Sequence, residues 1–255
     1  TSTFARMNFA ELPDDWPAER ETMRRLAAHV LGRAQAAATG HFALMPLPGG
    51  FGTPQFDADR RRIRLAGGSM FVESIVDGTA RSEVHLVAGS TIAALCDAAG
   101  CAIDPAAPDF SVGGDTPPLG DPHDMVILSP DAVAVVGDWF TLGARAIDIA
   151  LASLPDPQAS VPRLWPEHFD LGIDLAVDAR TKPGVRTNLG AAAGDGYHAE
   201  PYLYVGPWGA ERPRPAEVCI APFCATRSFG ELDVAENPLA AATEFFLHGI
   251  AYQRM

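Results

Sequence analysis

The chain has 255 residues, 47% of them hydrophobic and 20% charged, a balance that supplies a core and excludes a disordered protein. Its 32 Asp and Glu against 19 Lys and Arg leave a net charge of −13, and such a field repels phosphate backbones and anionic lipid headgroups. Nucleic acid and membrane are therefore not expected partners, and no apolar run reaches the roughly 18 residues that a membrane span requires.

Residues 1–7 lack a basic stretch followed by an apolar one, so no secretory signal is read and a cytoplasmic protein is expected. A first helix is predicted over about 14–38. Asp14 or Asp15 can cap it, Pro17 suits its first turn, and Glu19 and Glu21 favour its N-terminal dipole. Met23, Leu26, Ala27, Val30, Leu31 and Ala34 recur at helical spacing, and Gly40 ends the run. His29 and His248 fall within predicted helices and read as packed or surface residues.

From His41 to Val87 the period becomes two. Turn signals at Pro48-Gly49-Gly50, Gly67-Gly68 and Asp77-Gly78 divide the stretch into short strands. Residues 61–66, 69–76 and 80–87 read as an antiparallel meander. The basic cluster Arg60–Arg61–Arg62 with Arg64 reads as a charged strand edge, or as a holder for an acidic ligand. A short helix over 91–99 precedes a long loop, 102–122, rich in Pro, Asp and Gly. Loops of that length within a compact domain tend to carry function, and this one is a candidate lid.

A second long helix is predicted over about 130–154, then a linker at 155–162. Strands follow near 167–177, 185–190, 200–206 and 218–228, and a third helix over about 238–252. Runs of strands separated by helices that do not alternate with them define an α+β class with a mainly antiparallel sheet. The linker is too short to require two domains, so a single domain over 1–255 is expected. Cys96, Cys101, Cys219 and Cys224 form two pairs of equal spacing, read as buried thiols of a reduced compartment.

The chemistry concentrates in two segments. On a strand through 164–175, alternate side chains share a face, which groups His168, Asp170 and Asp174 opposite Phe169, Leu171, Ile173 and Leu175. The same parity over 194–208 groups His198, Glu200, Tyr202 and Tyr204. If the two strands are neighbours, His168, Asp170, His198 and Glu200 form a set suited to acid–base chemistry. Glu167, Asp195, Tyr202, Tyr204 and Trp208 then line the ligand site. A divalent metal held by His168, His198 and Asp170 is one form of this reading, related by its ligand types to the two-His, one-carboxylate iron centres. A solvated polar face is the plainer alternative. A third is a non-catalytic ligand-binding or oligomeric module using Trp165, Tyr197, Tyr202, Tyr204 and Trp208, since aromatics are enriched at interfaces. A small molecule and a second copy of the chain are thus both candidate partners.

Neither a nucleophile elbow nor a Walker A run occurs, and the glycines at 49–52 and 190–196 lack the helix a phosphate loop needs. The chain resembles a family of uncharacterised bacterial proteins through Ala28–Arg33, Pro48–Pro54, Asp115–Asp121, the LWPEHFD run at 164–170 and the stretch Asn188–Trp208. Those blocks span most of the chain. The resemblance implies a shared fold and carries no activity, cofactor or residue role.

Overall fold

The helix read from residue 14 forms over Trp16–Thr39, but in three parts: α1 (Trp16–Leu26), a π-helical segment (Ala27–Gly32) and α2 (Arg33–Thr39). Gly40, at φ 74°, closes it in the left-handed conformation that glycine adopts without penalty. The computed structural model describes residues 9–106, 110–178, 182–208, 221–222 and 224–254. Strands β1 (Met45–Leu47), β2 (Gly50–Gly52), β3 (Arg62–Ala66), β4 (Ser69–Val76) and β5 (Thr79–Leu86) follow, then α3 (Ile92–Ala98) and α4 (Pro130–Ala152). Strands β6 (Arg163–Trp165), β7 (Asp170–Asp178), β8 (Lys182–Ala192), β9 (Tyr202–Pro207) and β10 (Ala225–Ser228) precede α5 (Phe229–Asp233) and α6 (Pro238–Arg254). One sheet has the order β1-β2-β3-β4-β5, the other β10-β9-β8-β7-β6, and the fold is α+β. Among the described residues no helix is long and apolar enough to cross a membrane.

The chain divides into two compact units. The first comprises residues 1–9, 139–162 and 171–255, the second 10–138 and 163–170. In the second unit the meander β1–β5 is antiparallel throughout. Ile63, Leu65 and Met70 on one of its faces are buried with Phe51, and the predicted stripe Met23, Leu26, Ala27, Val30, Leu31 and Ala34 is buried along the first helix. A Cβ on Gly137 would lie 2.3 Å from Gly50 N, so these two glycines let α4 approach the backbone of β2.

In the first unit Leu189 and Ala191 of β8 face Val205 and Leu203 of β9 in register, and all four are buried. Helices cover this face: a Cβ on Gly143 of α4 would meet Ala191 at 2.6 Å, and one on Gly249 of α6 would meet Val205 at 2.7 Å. Trp139 donates from Nε1 to Ala192 O at 2.8 Å and packs against Phe9 and Phe229.

Three strand readings are corrected. The strand expected from residue 167 begins at Asp170, because 166–169 form a turn in which Phe169 takes φ 53° and its N–H bonds back to Trp165 O at 2.7 Å. The strand expected from 200 begins at Tyr202, and residues 193–201 are irregular. His168, His198 and Glu200 therefore stand outside the strands whose parity was to align them. Cys96 and Cys101 are buried free thiols as expected, whereas Cys224 is disulfide-bonded. The last strand, expected over 218–228, is strand from Ala225 on, with 221, 222 and 224 in a turn before it; Cys219, residues 107–109 of the long loop and residues 218–220 and 223 of that predicted strand lie outside the described residues.

Candidate functional site

The expected residues fall into both units, with Glu167, His168 and Asp170 in the second and Asp195, His198, Glu200, Tyr202, Tyr204 and Trp208 in the first. Each group has its own local geometry.

In the second unit the turn 166–169 rests on the π-helical segment. Gly32 faces the Pro166 ring, which a Cβ there would meet in ordinary contact at 3.5 Å. Phe169 turns inward and packs edge-on against Phe51, ring centres 5.2 Å apart, which leaves His168 outside, with 52% of its side chain exposed. Arg24 joins the turn to the long loop: its Nε donates to Glu167 O at 2.7 Å and its Nη2 to Asp115 O. Arg25 donates to Leu119 O, and His29 Nε2 donates to Pro117 O at 2.7 Å. The loop knits to itself as well, through Thr116 Oγ1 to Gly113 O (2.7 Å) and Val112 N to Thr116 Oγ1 (2.9 Å). The segment expected as a lid is thus a strap fastened by three basic side chains of the first helix.

Beneath the strap lies Glu167, 8% exposed. Gly113, at φ 153°, passes close by, and a Cβ there would be in ordinary contact with the Glu167 Oε1 at 3.6 Å. Its Oε2 has no hydrogen-bond partner among the described residues. Burial pushes the Glu167 carboxyl above the usual carboxylate range, partly offset by its own backbone N–H and by His168. His168 Nδ1 stands 3.6 Å from Asp115 Oδ2, an exposed pair of small energetic weight. His29 is 2% exposed, and burial lowers its pKa; with Nε2 donating, Nδ1 carries the lone pair of the neutral ring.

The first unit presents the sheet face opposite the helices. Tyr202 and Tyr204 share it as the parity predicted, with ring centres 6.4 Å apart. Tyr204 lies across a glycine trough: a Cβ on Gly190 would meet its Cζ at 2.3 Å, and one on Gly172 its hydroxyl oxygen at 3.0 Å. Tyr202 is buried and donates to Asp195 Oδ2 at 2.6 Å. Asp195 Oδ1 accepts from the backbone N–H of Tyr197 and His198, so one carboxylate shapes the loop and holds the tyrosine. The His198 ring packs on Tyr202 with centres 5.9 Å apart, and its Nδ1 is 3.1 Å from Glu200 O. Glu200 is exposed. Trp208, 64% exposed, donates to Asn188 Oδ1 at 2.6 Å, and Asp174 is bound by Arg186 at 2.6 Å. Glu231 is the neighbour the sequence did not suggest: it closes a capping box with Ser228, and its carboxyl is held below its usual range despite some burial by Ser228, Arg227 and the nearby His198.

Among the described residues, no group of three or more His, Cys, Asp and Glu side chains is arranged to hold a metal ion. The arginines at 60–64 are largely engaged by the protein itself. Arg60 bonds Gln55, Arg61 pairs with Asp57 at 3.3 Å over the Phe56 ring, and Arg64 pairs with Glu73 at 2.9 Å over Phe71. A cavity of about 160 Å³ in the second unit, lined by Thr22, Arg25, Leu26, Ile92 and residues 124–127, includes none of the expected residues. No family model, curated protein or solved structure matches the chain.

Proposed function

We propose that the protein binds a small polar molecule at the 166–170 turn, with the Glu167 carboxyl as the group that meets it. The observation that carries this reading is the buried Glu167 Oε2 with no partner among the described residues, under a strap fastened by Arg24, Arg25 and His29. A buried polar atom left unpaired costs about 1–3 kcal/mol, and a ligand that supplies its hydrogen bond recovers that cost. A carboxyl whose pKa is raised holds its proton to higher pH than usual and can donate it, which suits general acid catalysis if the ligand is a substrate. His168, Asp115 and Asp170 then line the approach. The experiment is a thermal-shift screen of small polyols, amides and carboxylic acids on the wild type and on Glu167→Gln. A ligand that raises the wild-type Tm and fails to raise that of the variant supports the site; equal responses refute it.

A second reading assigns a non-catalytic binding face to the first unit. It is favoured by Tyr197 and Trp208, 44% and 64% exposed, on or beside the sheet face that carries Tyr202 and Tyr204. Quenching of Trp208 fluorescence by a bound ligand, lost in Trp208→Phe, tests it. On compartment, the free thiols Cys96 and Cys101 support the cytoplasmic reading, while the disulfide at Cys224 counts against it.

A further inference from the structure

Strand β5 ends its sheet. It is eight residues long, carries no proline and pairs with β4 in unbroken register from Ser69↔Leu86 to Val76↔Thr79. All of its residues except His85 are exposed. Edge strands of this length are normally shortened, bulged or interrupted by proline, because their free N–H and C=O groups recruit another strand. No strand among the described residues pairs with the outer edge of β5.

The direction of the free groups follows from the hairpin. Asp77 and Gly78, at φ 50° and 73°, form a two-residue turn, so the flanking pair Val76 and Thr79 exchange hydrogen bonds. Alternate residues Thr79, Arg81, Glu83 and His85 then point their backbone groups at β4. Ala80, Ser82, Val84 and Leu86 point theirs outward, and the Leu86 carbonyl is already taken by Ser90 Oγ at 2.7 Å.

We propose that β5 pairs antiparallel with β5 of a second copy of this chain about a two-fold axis through Ser82, joining two sheets into one. Charge fixes this register. With Ser82 opposite Ser82, Arg81 faces Glu83 of the second copy and Glu83 faces its Arg81, both at non-hydrogen-bonded positions where cross-strand side chains approach most closely. Sliding by two residues sets Glu83 against Glu83 in one direction and Arg81 against Arg81 in the other. Sliding by one residue opposes outward backbone groups to inward ones. The same pairing sets Ala80 of each copy against Val84 of the other. It thereby covers part of Val84, 57% exposed, which stands opposite Phe71 of β4. The interface is isologous, as a two-fold requires.

Size-exclusion chromatography with light scattering on the full chain tests this, with a dimer of twice 27.0 kDa expected. By symmetry either Arg81→Glu or Glu83→Arg converts both attractive pairs into repulsive ones, and each weakens dimerisation about tenfold or more. An equimolar mixture of the two variants restores a dimer, since their charges are complementary, and so does the double exchange in one chain. Ser82→Pro removes an outward N–H while leaving the β4 ladder intact, and gives a monomer with the circular dichroism of the wild type. A monomeric wild type overturns the proposal. So does a dimer indifferent to charge reversal, or failure of the mixed variants to associate, and these readouts hold even if Ser82→Pro does not fold.

Discussion

His29 Nε2 donates to Pro117 O at 2.7 Å from a ring that is 2% exposed, so a histidine in the π-helical segment holds the strap by a bond that needs only its neutral form. Protonation would place a second N–H at Nδ1, where the described residues offer no acceptor. Burial lowers the pKa below its ordinary 6.5, so the unfolded chain takes up the proton first. The contribution to stability is complete above pH 6.5 and is lost as pH falls toward the lowered value. Melts of the wild type from pH 8 to 5 should show this decline, and His29→Gln, which keeps a donor for Pro117 O, should lack that component. Equal pH dependence in the two proteins would falsify the assignment.

Glu167 has the opposite sign. Its folded pKa lies above the ordinary 4.5, so the native state binds the extra proton, and stability is greatest below 4.5 and lost as pH rises through the folded value. Glu167→Gln, whose neutral amide carries no charge to bury, should therefore stabilise the ligand-free protein at pH 7. The gain should vanish at pH 4. Denaturant unfolding at both pH values measures it, and a gain independent of pH would point to packing instead.

Tyr202 and Asp195 form the polar centre of the other unit's sheet face. Tyr202→Phe should cost about 1 kcal/mol, as for one hydrogen bond to a charged acceptor that remains partly solvated. Amide exchange at Tyr197 and His198, whose N–H groups share the same carboxylate, should accelerate. Unchanged exchange there would separate the loop from the tyrosine.

Gly137→Ala sets two effects against each other. Alanine gains roughly 1 kcal/mol of helix propensity over glycine, but its Cβ would stand 2.3 Å from Gly50 N, a backbone atom that no rotamer change can move. Overpacking of this kind costs about 1–3 kcal/mol or more, so the variant should be less stable, as a lowered Tm will record.

The periodic parts of the chain were legible. The buried stripe from Met23 to Ala34, the β3–β5 meander and the outer limits of α4 and α6 follow from spacing and turn residues, which act locally. The parity of Leu171, Ile173 and Leu175 against Asp174 also held. The candidate site was less legible because its key residues stand where period fails. Phe169 at positive φ reverses the chain just before β7, and no alternation reaches His168 across such a turn. His198 and Glu200 sit in a loop shaped by the Asp195 carboxylate. The role of His29 depends on Pro117, 88 residues away, a relation that helical periodicity does not contain. The glycines that admit Tyr204 gave no signal beyond their identity, since their use depends on what packs against them.

Neither compact unit is a continuous piece of sequence. Residues 163–170, which carry Glu167 and His168, belong with 10–138, although residues 139–162 of the other unit intervene. One of the crossings falls inside α4, between Asp138 and Trp139. No single cut can therefore release either unit whole, and a gene fragment ending at 138 would encode the strap without the glutamate beneath it. Such a chain cannot be shuffled as two cassettes: recombination that exchanged one unit would carry part of the other with it, so the two are inherited together.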